Sequence, residues 1–234
     1  MSEALITPPQ QLPVEGLILG CDGVLIDSET LTCGIAAQAL TAVGYPITTE
    51  QVIARFAGRP DHEVRAEIER DWGQPLPPDY RERVNARTVD AYATELKIMP
   101  GVLEALEQID LPIGVASSSF PSKLQLGLET VGLYDRFLPN VVSGTLVAHG
   151  KPRPDVFLFT AGWLRISPLC CLVVEDSVAG VTAAVAAGMP VLGFVGGSHC
   201  DEAHAERLLG AGARSVFADM TELPLLLQKL RVGG

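Results

Sequence analysis

The sequence has little positive charge and no long apolar run. Against 28 acidic side chains stand only 17 lysines and arginines, a formal net charge of −11. That balance repels a polyanion on average and no basic cluster offsets it, so nucleic acid is excluded as a partner. Apolar runs such as Leu169 to Val174 are far too short to cross a bilayer, and no membrane partner is expected. The five cysteines (Cys21, Cys33, Cys170, Cys171 and Cys200) have no disulfide-framework spacing. The first residues carry Pro8, Pro9 and Pro13 without a basic region followed by an apolar block. Residues 1–13 therefore read as a leader and not as a signal peptide. The expectation is a cytoplasmic protein with reduced thiols, a monomer or small homo-oligomer. A small phosphorylated substrate stays possible, because a local cation outweighs distant negative charge.

What is present is a core and an alternation. Hydrophobic residues make up 47% of 234 positions, enough for one large domain or a core with an inserted unit. Leu17-Ile18-Leu19 reads as a buried strand that opens into the polar turn Gly20-Cys21-Asp22-Gly23. Strand alternation would place positions 20 and 22 on one face and Cys21 on the other. Leu31, Ile35, Ala39 and Val43 then recur at helical spacing up to Gly44. Helices are predicted around Thr49–Phe56, Asp61–Trp72 and Asp79–Leu96, separated by Gly58, Gly73 and the Pro75-Leu76-Pro77-Pro78 breaker. From about Met99 strands and helices alternate. Strands are predicted at Pro112–Ala116, Val141-Val142, Leu172–Val174, Val191–Phe194 and Ser215–Phe217, and Ser177 is a plausible cap for the helix Val178–Ala187. This pattern predicts an α/β fold with a Rossmann-like parallel sheet and right-handed crossovers. The core would hold residues 14–29 and 99–234, with residues 30–98 as an inserted small α-helical cap.

Four predicted strand ends carry chemistry. Asp22 follows the first and Ser117, with Ser118, the second; Lys151 opens a helix after the third; Glu175-Asp176 closes the fourth. Parallel strands bring such ends to one edge. Carboxylates with a lysine suit Mg²⁺ and phosphate, because hard oxygens bind the ion and an ammonium balances the anion. Each residue alone could serve a local purpose, a turn cap or a solvated helix start. Together they point to phosphoryl chemistry, which needs chiefly positioning and charge stabilisation.

These motifs, Gly20-Cys21-Asp22-Gly23, Ser117, Gly150-Lys151-Pro152-Arg153-Pro154-Asp155 and Glu175-Asp176-Ser177, resemble those of the haloacid dehalogenase (HAD) superfamily from about Val14 to the end. The helical insert looks like the cap of its β-phosphoglucomutase and sugar-phosphate phosphatase branch. The resemblance implies an Mg²⁺-dependent phosphatase acting on a small metabolite, in the first instance a sugar phosphate, through an aspartyl-phosphate. It gives Asp22 general acid and base work and a carbonyl for Mg²⁺. Ser117 and the Ser118 amide would take phosphoryl oxygens, Lys151 would neutralise them, and Asp176 would ligate the metal directly. Glu175 would turn elsewhere on its strand and act through water or through neighbouring groups. In the cap, Arg55 and Gly58, followed by Arg59, would close over the leaving group.

One oxygen is missing. The family's nucleophile is an aspartate where this chain has Gly20, so an aspartyl-phosphate cannot form there and one metal ligand is lost. Cys21 would point away, and no cysteine is followed six residues later by the arginine of a cysteine-phosphatase loop. The chain is thus expected to be inactive or severely impaired. Its rival readings are a non-catalytic phosphometabolite binder and a sugar phosphomutase, although Thr32 stands where the mutases carry a hinge histidine. Asp27 and Ser28 read as loop-structuring. His199, Cys200, Asp201 and His204 fit no firm zinc spacing and read as a loop leading into a helix.

Overall fold

The computed structural model describes residues 13–59 and 61–231. The expected leader lies outside them apart from Pro13, which is exposed. Its organising element is the short strand β1 (Gly16–Leu19), buried at all four residues. The chain then forms α1 (Glu29–Ala42), α2 (Thr49–Phe56), α3 (Asp61–Trp72) and α4 (Tyr80–Glu95) before any further strand. It continues through α5 (Val102–Glu107), β2 (Ile113–Ser117), α6 (Pro121–Thr130), α7 (Tyr134–Phe137) and β3 (Val141–Ser143). Helix α8 (Asp155–Leu164), β4 (Cys171–Glu175), α9 (Val178–Ala186), β5 (Val191–Phe194), α10 (His204–Gly210), β6 (Ser215–Phe217) and α11 (Leu223–Leu230) complete it.

The strands form one six-stranded sheet in the order β3-β2-β1-β4-β5-β6. Every pairing is parallel, Leu17 lying opposite both Ile113 and Leu172. Both faces of β1 are covered, which its unbroken apolar run requires. On one face Leu17, Leu19, Val115, Leu172 and Val174 pack with α5, α6 and α11 through Leu106, Leu128 and Leu227. On the other, Ile18, Ala116, Cys171 and Val173 meet Val156 and Phe157 of α8 and Val181 of α9. Each such fully buried side chain contributes about 1.5–3 kcal/mol relative to exposure. The sheet order reverses at β1, where the chain leaves β2 and β3 on one side and crosses to β4 on the other. Open α/β sheets place ligands at that switch point.

Helices α1 to α3 gather a second, separate core from Cys33, Leu40, Val52, Phe56, Ile68 and Leu76. A capping box starts α2: Gln51 N donates to Thr48 Oγ1 (3.2 Å) and Thr48 N to Gln51 Oε1 (2.9 Å). Element ends moved by one or two residues from expectation. The strand predicted at Pro112 starts at Ile113, because proline has no N–H and contributes only its carbonyl, to Leu17 N at 3.0 Å. The helix expected after the His199 loop starts at His204, since Asp201 closes the preceding turn by accepting from Ala203 N at 3.0 Å. Ser177 caps α9 as expected, its Oγ accepting from Gly180 N at 3.0 Å. The single turn of α7 had no periodicity to announce it.

Candidate active site

The site forms where β1 ends. The Cys21 carbonyl accepts from Val24 N (3.3 Å), Leu25 N (2.8 Å) and Ile26 N (3.1 Å), so the pleat gives way to a tight turn directly after Leu19. Alternation ends with the strand at Leu19, so positions 20 and 22 meet their neighbours through the turn and not through a pleat. A Cβ on Gly20 would lie 3.2 Å from Glu175 Oε1 and 3.1 Å from Val24 Cγ2. The Asp22 carboxylate meets a different set. Ser28 Oγ donates to its Oδ1 at 2.7 Å, Lys123 Nζ at 3.1 Å and Tyr92 Oη at 3.4 Å. Its Oδ2 accepts from Ser119 Oγ at 2.8 Å and, at the limit of hydrogen bonding, from Ser117 Oγ at 3.4 Å. Cys21 is buried in the apolar core, where desolvation pushes its thiol well above the usual range, so it is no substitute nucleophile.

Glu175 corrects a second expectation. Expected to turn elsewhere, it faces position 20 and is ion-paired with Lys151, both side chains being buried. Its place on β4 follows Cys171 and Val173 onto the α8 side of the sheet, and Lys151 arrives there by donating to the Ala116 carbonyl at 3.1 Å. Ser177 Oγ also donates to Glu175, at 3.0 Å. Asp176, past the strand end, lies against the turn of the first motif. A Cβ on Gly23 (φ +73°) would fall 1.8 Å from Asp176 Oδ2, so only glycine lets that carboxylate approach. His199 Nε2 stands 3.1 Å from the same oxygen.

Ser117 is buried at the end of β2, its Oγ accepting from Ser119 N at 3.0 Å, and Ser118 is exposed beside it. The cap residues divide. Gly58 would place a Cβ 3.1 Å from Ser177 Cβ, so it packs at the strand-end edge. Arg55 does not reach the site. It is paired with Glu67 (3.0 Å) and Asp71, accepts no role toward Asp22, and donates to Tyr45 Oη at 3.0 Å. Arg59 is held likewise, 2.7 Å from Glu67. Two acidic residues on α3, eight or more positions away in sequence, hold these guanidinium groups.

A haloacid dehalogenase-like hydrolase model matches residues 17–194, which contain all of these strand ends. The chain belongs to the haloacid dehalogenase-like hydrolases. Hexitol phosphatase B of Escherichia coli K12 is 33% identical over 188 residues, covering 78% of this chain and 83% of the relative. The 6-phosphogluconate phosphatase of the same organism is 26% identical over 214 residues, covering 91% and 94%. Among solved structures, a conserved haloacid dehalogenase-like protein of unknown function from Agrobacterium tumefaciens superposes with a TM-score of 0.84 at 37% identity, covering 92% of this chain and 98% of that one. Phosphatases of phosphorylated carbohydrates and their derivatives are thus among its relatives.

Three carboxylates of the site each have a basic partner: Asp22 has Lys123, Glu175 has Lys151 and Asp176 has His199. Burial alone would raise Asp22, but the Lys123 ammonium and the hydrogen bonds from Ser28 and Ser119 outweigh it and hold the carboxyl down at about 2. Desolvation raises Glu175, with Lys151 opposing it. Desolvation would lower His199, yet its bond to Asp176 carries it up to about 10. Half-buried Glu29, desolvated and close to the Asp22 and Asp176 charges, is pushed up to about 7. The donor set suits Mg²⁺ with one ligand fewer than the family pattern. Asp176 presses on the Asp22-Gly23 backbone, Glu175 adds hard oxygen nearby, and position 20 adds none.

Sequence reading missed Ser119, Lys123, Tyr92 and Glu29, and it took Ser28 and His199 for loop residues. Ser119 was available as the second member of an every-other-residue pair with Ser117, and Lys123 as a cation one turn into the following helix. Tyr92 carried no local signal, since it reaches Asp22 from 70 residues away.

Proposed function

We propose that this chain is a sugar-phosphate phosphatase scaffold with its covalent route closed: it binds a small phosphorylated metabolite at the β1–β2–β4 edge and turns it over slowly or not at all. The observation that carries this reading is position 20. There a glycine faces the buried Lys151–Glu175 pair, while the phosphate-handling groups around it are intact. Ser117, Ser118 and Ser119 offer hydroxyls and amides to phosphoryl oxygens, and Lys123 and Lys151 supply positive charge from two sides. Asp22 is kept ionised by its neighbours, so it can accept a hydrogen bond from a hydroxyl of the ester. Asp176 and the Asp22 carbonyl, with Glu175 beside them, would hold Mg²⁺, which supplies neutralisation of phosphoryl charge when bound. Residues 30–98 form the cap, with Gly58 rather than Arg55 at its contact with the core. Thr32 donates to the Glu29 carbonyl at 3.2 Å and has no titratable group for mutase chemistry.

Calorimetry with 6-phosphogluconate and hexitol phosphates, paired with a phosphate-release assay, tests this. The expected result is saturable, Mg²⁺-sensitive binding with release near background, and binding lost in Lys123→Met. Folded protein that binds none of these esters would overturn it. The glycine also favours a second reading, a non-catalytic phosphometabolite-binding protein. The two separate on Gly20→Asp, which restores turnover only on a phosphatase scaffold.

A further inference from the structure

We propose that His199, Cys200 and His204 form a binding site for a borderline-soft divalent metal of the Zn²⁺ type, beside the phosphate site and chemically distinct from it. The segment is a loop leading into a helix, as the sequence suggested, but the loop also folds three donors onto one point. One ligand atom from each residue lies within 4.8 Å of the other two. Tetrahedral zinc with Zn–N of about 2.0–2.1 Å and Zn–S of about 2.3 Å sets its ligands roughly 3.3–3.7 Å apart. His199 Nε2 and Cys200 Sγ already stand 3.7 Å apart. Side-chain adjustment of about an ångström closes the remainder.

The surroundings are built for these rings. His199 and His204 are each 8% exposed, whereas Cys200 is half-buried and gives the site a path to solvent. His204 Nε2 is 2.6 Å from the Asp176 carbonyl. Donating there leaves Nδ1 as the lone-pair nitrogen, the way ligating histidines are oriented by their other nitrogen. That Nδ1 now accepts from Arg207 at 3.0 Å, and Arg207 is exposed with Asp201 as its second partner, so it can release the imidazole. His199 Nδ1 is buried without a hydrogen-bond partner among the described residues. A Cβ on Gly197 would lie 2.7 Å from the His199 ring, so the loop admits the ring only with glycine there. Ser198 pins the loop, donating from N and Oγ to Asp27 Oδ1 at 3.2 and 2.7 Å. Two imidazoles and a thiolate select Zn²⁺ or Co²⁺ over Mg²⁺, which prefers hard oxygen. Binding releases the thiol proton and the His199 Nε2 proton to solvent and draws His199 from Asp176, which stays with the phosphate site, while water supplies the fourth ligand.

Chelator-treated full-length protein titrated with Co²⁺ tests the site. The expected result is one tight ion per chain with intense tetrahedral d–d bands and a thiolate-to-cobalt charge-transfer band, unmoved by a large excess of Mg²⁺. Cys200→Ser should abolish the charge-transfer band, His204→Ala should weaken binding by about tenfold or more, and Cys170→Ser should change neither. In the unmutated chain, Zn²⁺ should also slow alkylation of Cys200 by iodoacetamide, read at that residue by mass spectrometry. A weak octahedral spectrum without charge transfer, or alkylation of Cys200 at the same rate with saturating Zn²⁺, overturns the proposal.

Discussion

Replacing Gly20 by aspartate tests the site most directly. The backbone tolerates it, since position 20 has no left-handed φ, and the added Cβ would sit 3.1 Å from Val24 Cγ2 and 3.2 Å from Glu175 Oε1. Shifts of a few tenths of an ångström in those two side chains accommodate it. Charge is the larger cost. Two carboxylates about 5 Å apart at an effective dielectric of about 20 repel by about 3 kcal/mol, and Lys151, shared between them, offsets much of that. Loss of glycine's freedom in the unfolded chain returns about 0.5 kcal/mol. The net destabilisation should be about 1–2 kcal/mol, a melting-temperature drop of about 2–8 °C that Mg²⁺ reverses. Activity should move the other way. A covalent nucleophile is worth several orders of magnitude, so Mg²⁺-dependent release from a sugar phosphate should rise by about 10³-fold or more. The assay is phosphate release by parent, Gly20→Asp and Gly20→Asn, with melting curves in parallel. Gly20→Asn matches the shape without the nucleophile and should stay silent. A folded, Mg²⁺-binding Gly20→Asp that is no faster than the parent would refute the placement of the nucleophile.

Three further outcomes follow from the same geometry. Lys151→Ala leaves Glu175 buried and unpaired, so denaturant unfolding should show a loss of about 3–5 kcal/mol, much of it recovered in Lys151→Ala/Glu175→Gln. Glu29 has a folded value of about 7, above its unfolded 4.5, so the protein's stability should fall as pH rises through that window. Allowing for its partial exposure, that loss is about 1–2 kcal/mol, and Glu29→Gln should flatten the slope between pH 5 and 8 in urea melts. Arg55→Ala removes partly exposed ion pairs within the helical insert, so it should cost about 1 kcal/mol or less and leave sugar-phosphate affinity unchanged in calorimetry. A tenfold affinity loss there would return Arg55 to the ligand.

The alternation of apolar runs and helical patterns determined the architecture from the chain alone. Buried parallel strands must be apolar on both faces, and Leu17–Leu19, Leu172–Val174 and Val191–Phe194 show it without ambiguity. The strand-end positions of Asp22, Ser117, Lys151 and Glu175-Asp176 followed from that periodicity, whereas the missing oxygen at Gly20 was visible only through the resemblance of the first motif to the haloacid dehalogenase pattern. Direction did not follow. Alternation holds only while a strand lasts, and β1 stops at Leu19 because three amides turn back onto the Cys21 carbonyl. Only tertiary structure could therefore send position 20 toward Glu175 and Asp22 toward Ser119 and Lys123. It also decided between partners of equal chemistry. Arg55 was a free cation in sequence until α3 brought Glu67 and Asp71 beside it, and His199 was a loop residue until the fold set it against Asp176. Such pairings depend on distances between elements remote along the chain, which no local pattern encodes.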